Sequence, residues 1–107
     1  MIKLAVWKIG CWKPSRWEDG DNLVVAFKGI DKDNAGKTYH LNLNSLQRNK
    51  DDWLRACIEG NIVEVNVLPG STTVSKYAPF RIIKKTEHGA EALDEEGNLP
   101  NQLELIP

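Results

Sequence analysis

Residues 37–68 read KTYHLNLNSLQRNKDDWLRACIEGNIVEVNVL, and the rest of the chain is organised around them. Tyr39, Leu41 and Leu43 alternate with His40, Asn42 and Asn44. That period of two belongs to a strand with one apolar and one polar face. It returns after Gly60, where Val63, Val65 and Val67 alternate with Glu64 and Asn66. Between the two strands, Trp53, Leu54, Cys57 and Ile58 fall on one face of a helix. Asn49 suits the helix N-cap, Asp51 and Asp52 its first turn, and Gly60 its C-terminal cap. Elsewhere the chain reads as strands.

Towards the N-terminus, IKLAVWKIGCW (2–12) is a first strand, with Gly10 where a bulge or bend belongs. KPSRWEDGDN (13–22) is a loop, marked by Pro14, Gly20 and its Asp and Asn residues. LVVAFKGI (23–30) is a second strand whose continuous apolar run points to a central place in the sheet. DKDNAG (31–36) is a hairpin turn. It opens like a calcium loop, but Leu41, Asn42 and Leu43 occupy the region where the bidentate Glu would fall. Towards the C-terminus, PGSTTVSKYAP (69–79) is a second loop, with residues 72–74 extending a strand into it. FRIIKK (80–85) is the fifth strand. The expected fold is therefore mainly β: five antiparallel strands in residues 1–86, one helix between strands three and four, and an acidic tail over 87–107.

A chain of 107 residues has room for one core. Its hydrophobic fraction of 41% suits a folded globule. No apolar run approaches the roughly 20 residues that span a bilayer. The N-terminal stretch MIKLAVWKIGCW lacks the long apolar core and cleavage site of a secretory signal, so the expected location is cytoplasmic. The net charge of −1 hides a split. Residues 1–86 hold all 14 Lys and Arg against nine acids, so 14 − 9 = +5. Residues 87–107 hold Glu87, Glu91, Asp94, Glu95, Glu96 and Glu104 and no Lys or Arg, a charge of −6. That acidic stretch ends in Leu103, Leu105 and Ile106, read either as a short strand docking on the body or as a hydrophobic tip on an acidic tether.

Catalytic and metal chemistry find no motif. Cys11 and Cys57 are the only cysteines, and there is no CxxC, HExxH, GxSxG, phosphate loop or dinucleotide fingerprint. The expectation is a non-enzyme without cofactor or metal, with both thiols reduced and Cys57 in the core. The distinctive feature is aromatic residues set among cations. Trp7, Trp12 and Trp17 lie within eleven residues and are interleaved with Lys3, Lys8, Lys13 and Arg16. Tyr77 follows Lys76, with Arg81 nearby, and Lys28 and His40 belong to the second and third strands. Bases stack on rings while Lys and Arg track phosphates, so this mixture suits single-stranded nucleic acid. Whether Trp7 belongs to the core or to the exposed face turns on the strand register.

The element order, with one helix between the third and fourth strands, resembles the OB-fold over residues 2–85. With its acidic, apolar-tipped tail the chain looks like small phage or bacterial single-stranded DNA-binding proteins. The resemblance implies a small barrel whose groove crosses strands two and three and is walled by loops 13–22 and 69–79. Carried onto this sequence, the nucleic-acid-binding residues are Trp12, Lys13, Arg16, Trp17, Lys28, His40, Lys76, Tyr77 and Arg81. It also implies a tail that recruits a protein partner, although the ending LELIP lacks the aspartate run and final phenylalanine of the best-known tails. The alternative is a protein-interaction module or accessory protein of a phage or mobile element with no nucleic-acid ligand. A homodimer through an unpaired strand edge or the tail is a further expectation, and no membrane contact is expected.

Overall fold

The computed structural model describes residues 1–84. The acidic tail expected over 87–107 lies outside the described residues. The elements are β1 (Ile2–Ile9), β2 (Lys13–Pro14), β3 (Asp21–Gly29), β4 (Thr38–Asn44), α1 (Lys50–Ala56), β5 (Ile62–Val65) and β6 (Arg81–Lys84). The fold is mainly β, as the alternating pattern requires, with six strands among the described residues rather than five because Lys13–Pro14 form a short strand of their own. Every ladder is antiparallel. β3 is the hub, with β4 along one edge and β1 followed by β2 along the other. β5 then pairs with the free edge of β1, and β6 with β5.

The bulge expected at Gly10 lies instead at Trp7. Val6 pairs with Phe27 and Lys8 with Ala26, so Trp7 is the extra residue. Gly10 keeps its place in the ladder and donates its N–H to the Val24 carbonyl at 3.0 Å. An extra residue flips the side-chain parity of the strand and increases its twist. Leu4 and Val6 therefore point into the core before the bulge, and Lys8 leaves it on the opposite face after it.

Among the described residues the ladders leave the sheet open between β4 and β6, and residues 72–75 link β4 to the chain after β5. On one side, the His40 N–H donates to the Thr72 carbonyl (3.0 Å) and the Val74 N–H to the His40 carbonyl (2.8 Å). On the other, the Leu68 N–H reaches the Thr73 carbonyl (2.9 Å) and the Ser75 N–H the Asn66 carbonyl (2.8 Å). The extension expected at 72–74 thus consists of isolated bridges, parallel to β4 and antiparallel to the chain after β5.

The inward rows of β1, β3, β4 and β5 make one core around Leu4, Val6, Val25, Phe27, Leu41 and Trp53. At about 1.5–3 kcal/mol for each large side chain removed from water, this row-on-row burial is the main driving force of the fold. β3 is central but not apolar on both faces. Val24 is exposed and Ala26 and Lys28 are half-buried, so its run of hydrophobics overstates its burial. A second, smaller cluster of Ala5 and Ile62, packed by Ile30 and Ile83, lies on the other face of the β1–β5 region.

The helix is seven residues long and plugs the core with Trp53, Ala56 and Cys57. Leu54 and Ile58, expected on the same face, are exposed. A helix this short presents a single buried turn. It ends at Cys57, and Gly60 serves the following turn at φ +90 rather than the helix cap. Asn49 holds the N-cap position without capping. Its side-chain amide donates to the Lys76 carbonyl at 2.9 Å, the oxygen that also accepts the Trp53 indole N–H at 2.8 Å. Phe80 stacks on Trp53 with ring centroids 3.6 Å apart and planes 14° from parallel. The helix is therefore fixed by its hold on residues 76–80.

Candidate nucleic-acid interface

The outer face of β3 and β4 follows directly from the register. Asn22, Val24, Ala26 and Lys28 alternate with the buried row of β3, and each faces a polar residue of β4. The pairs are Asn22 with Asn44, Val24 with Asn42, Ala26 with His40 and Lys28 with Thr38. Lys8 and Lys13 enter from the β1 and β2 side, opposite Ala26 and Asn22. Lys28 is six residue steps along β3 from Asn22, so the face runs for about 20 Å. None of these residues is an Asp or Glu.

Trp7 stands at one end of the face, where the bulge turns it. The Lys8 ammonium is 4.4 Å and the Lys28 ammonium 4.2 Å from the ring centroid. Lys28 is held there by donating to the Thr38 hydroxyl at 2.7 Å. Neither lysine pairs with a carboxylate among the described residues. Two cations over one indole are each favoured by the ring quadrupole, by about 0.5–1 kcal/mol at an exposed site.

At the other end, loop 13–20 is braced around one hydroxyl. Ser15 Oγ accepts the backbone N–H groups of Trp17 (3.3 Å) and Glu18 (3.2 Å) and the Asn22 side-chain amide (3.1 Å). This Ser-centred turn leaves the Trp17 ring 89% exposed, with Arg16 exposed beside it and Trp12 and Lys13 exposed at its base. A large ring held in water by an ordered loop is a ready stacking surface.

The nine residues picked from the sequence divide into two groups. Lys13, Lys28 and His40 share the outer face, and Trp12, Arg16 and Trp17 belong to the segment at its end. Tyr77 and Arg81 line a different place. It is a groove of about 560 Å³ between α1 and residues 77–82, floored by Phe80 and shared with Asn49, Asp52 and Arg55. It has no lining residue in common with the outer face. Arg81 pairs with Glu64 at 2.8 Å, and Arg55 pairs with Asp52. Lys76 stands between the groups, 3.5 Å from Glu18 of loop 13–20 and 5.3 Å from the Tyr77 ring centroid. As an exposed ion pair that link is worth at most about 1 kcal/mol.

Trp7 and Lys8 are the residues of this face that the sequence pattern did not select. Their signal is the repeated Trp-Lys pair, Trp7-Lys8 and Trp12-Lys13, on either side of Gly10. Cys11 is exposed. Cys57 is buried, and burial pushes its thiol up to about 12, which leaves it unreactive near neutral pH. Among the described residues no group of three or more His, Cys, Asp or Glu side chains is placed to hold a metal ion. Nor is any helix there long and apolar enough to cross a membrane. In comparisons with protein-family models, curated proteins and solved structures, nothing matches this chain.

Proposed function

We propose that this chain is an OB-like barrel that binds single-stranded nucleic acid across the outer face of β3 and β4, with little sequence preference. The observation that carries the reading is the acid-free row of that face, with Lys8, Lys13 and Lys28 along it and exposed tryptophans at its end. Cations there track phosphates while rings take bases. The barrel reading draws on residues 72–75, which hydrogen-bond to both β4 and the chain after β5. Single-stranded DNA is preferred to RNA on the strength of the resemblance to small DNA-binding proteins. A cytoplasmic location and the lack of a catalytic role belong to the same proposal.

Trp17→Ala tests it. Trp17 contributes little to the core, so the unfolding midpoint should stay within the spread of wild type. The affinity for a dye-labelled oligothymidylate, read by anisotropy, should fall about tenfold, since a stacked base is worth roughly 1–3 kcal/mol. Unchanged affinity removes loop 13–20 from the interface.

A second reading, a protein-interaction module, draws on the groove beside α1, where Tyr77 is 69% exposed over an aromatic floor. An apolar contact there responds weakly to salt, whereas phosphate binding responds steeply.

A further inference from the structure

Resting on the nucleic-acid reading, we infer that Trp7 is a gated stacking platform: Lys8 and Lys28 cap its ring in the free protein, and phosphates open it by drawing the two ammonium groups away. The bulge at Trp7 is the first support. It places an extra residue where the strand changes parity, so the indole stands at the edge of the outer face rather than in the core. The second support is the pair of ammonium groups at 4.4 and 4.2 Å from its centroid, on residues from two different strands. The third is the lack of any carboxylate partner for these lysines among the described residues.

A cation over a ring and a base over the same ring compete for the same surface. A phosphate oxygen is the stronger partner for an ammonium, because the contact is a charge-assisted hydrogen bond. A strand laid along the face therefore supplies both halves of an exchange. Its phosphates take Lys8 and Lys28, and its base takes the uncovered indole. An uncharged ligand supplies only the base and meets the cap. The gate makes stacking at Trp7 conditional on a charged backbone, which discriminates nucleic acid from free bases and other planar solutes.

The test is ¹⁹F NMR of protein labelled with 5-fluorotryptophan, the Trp7 signal being assigned by its loss in Trp7→Phe. Oligothymidylate should shift the Trp7 signal in wild type, and a methylphosphonate oligothymidylate of the same length, which is uncharged, should not. An abasic oligonucleotide, with phosphates but no bases, should also move the signal, to a different position, because it opens the cap without stacking. In the Lys8→Gln, Lys28→Gln variant the methylphosphonate strand should now move it. The gate is overturned if the uncharged strand moves Trp7 in wild type, or if the abasic strand leaves it in place. It is also overturned if oligothymidylate saturates the protein by anisotropy with no response at Trp7. Absence of any anisotropy change with oligothymidylate overturns the nucleic-acid reading itself, a separate result from failure of the gate.

Discussion

Trp53→Phe should cost about 2.5 kcal/mol of stability, and the sum can be worked from its surroundings. Trp53 is fully buried, stacks on Phe80 and donates its indole N–H to the Lys76 carbonyl. Replacing indole by phenyl keeps most of the stack but leaves a void of about 40 Å³, which at about 24 cal/mol per Å³ costs about 1 kcal/mol. The lost apolar burial adds about 1 kcal/mol. The lost hydrogen bond adds about 0.5–1.5 kcal/mol net, the low value applying because the same carbonyl still accepts the Asn49 amide. Urea unfolding followed by far-ultraviolet circular dichroism measures the total. The double variant with Asn49→Ala sharpens the argument. Either single change leaves the Lys76 carbonyl one partner, and both together leave it none. The pair should therefore cost about 1 kcal/mol more than the sum of the two. Additivity within about 0.3 kcal/mol, or a cost below about 1 kcal/mol for Trp53→Phe alone, would refute the claim that the helix is held through residues 76–80.

Two further predictions concern the core and the turn before β4. The unfolded Cys57 thiol ionises near 9.0 and the folded one near 12, so the unfolded state loses its proton first. The stability it contributes is whole below pH 9 and falls by about 1.4 kcal/mol per pH unit above it, and Cys57→Ala should flatten that slope in unfolding curves between pH 8 and 10.5. A slope identical in both proteins would contradict the burial argument. Gly29→Ala should prevent native folding, because a Cβ there would lie 2.1 Å from the Asn34 carbonyl oxygen, a backbone atom that cannot swing aside. Native-like thermal unfolding of that variant would show that the 31–36 turn yields more easily than its hydrogen bonds imply.

Much of the fold was legible in the sequence because it rests on period. Tyr39, Leu41 and Leu43 are inward along β4, and Val63 and Val65 along β5, as alternation required. The helix between them was legible from its turn of acids and its buried Trp53. What failed were choices that depend on tertiary context. Leu54 and Ile58 satisfy a helical face, but α1 is too short for its last turn to be covered. Asn49 is a good capping residue that spends its amide on a carbonyl 27 residues away. The bulge is at Trp7 rather than at the glycine, and that shift carries Lys8, which strict parity groups with Leu4 and Val6, to the outer face beside Trp7. For the candidate interface, composition identified cations and rings but not their grouping. Lys28 and His40 meet on one face because β3 and β4 pair in register, whereas Tyr77 and Arg81 follow residues 76–80 to the helix.

The most direct test of the nucleic-acid reading is the salt dependence of oligothymidylate binding. With Lys8, Lys13, Arg16 and Lys28 each neutralising one phosphate, the logarithm of affinity should fall against the logarithm of salt with a slope of about −2.8, using −0.7 per contact for a single strand. That is a loss of roughly 50-fold between 50 and 200 mM. The Lys8→Gln, Lys28→Gln variant should halve the slope to about −1.4. A saturable titration with these slopes is the result expected of a cationic groove on this sheet. No binding at 50 mM salt, or binding whose slope is the same in both proteins, would contradict it.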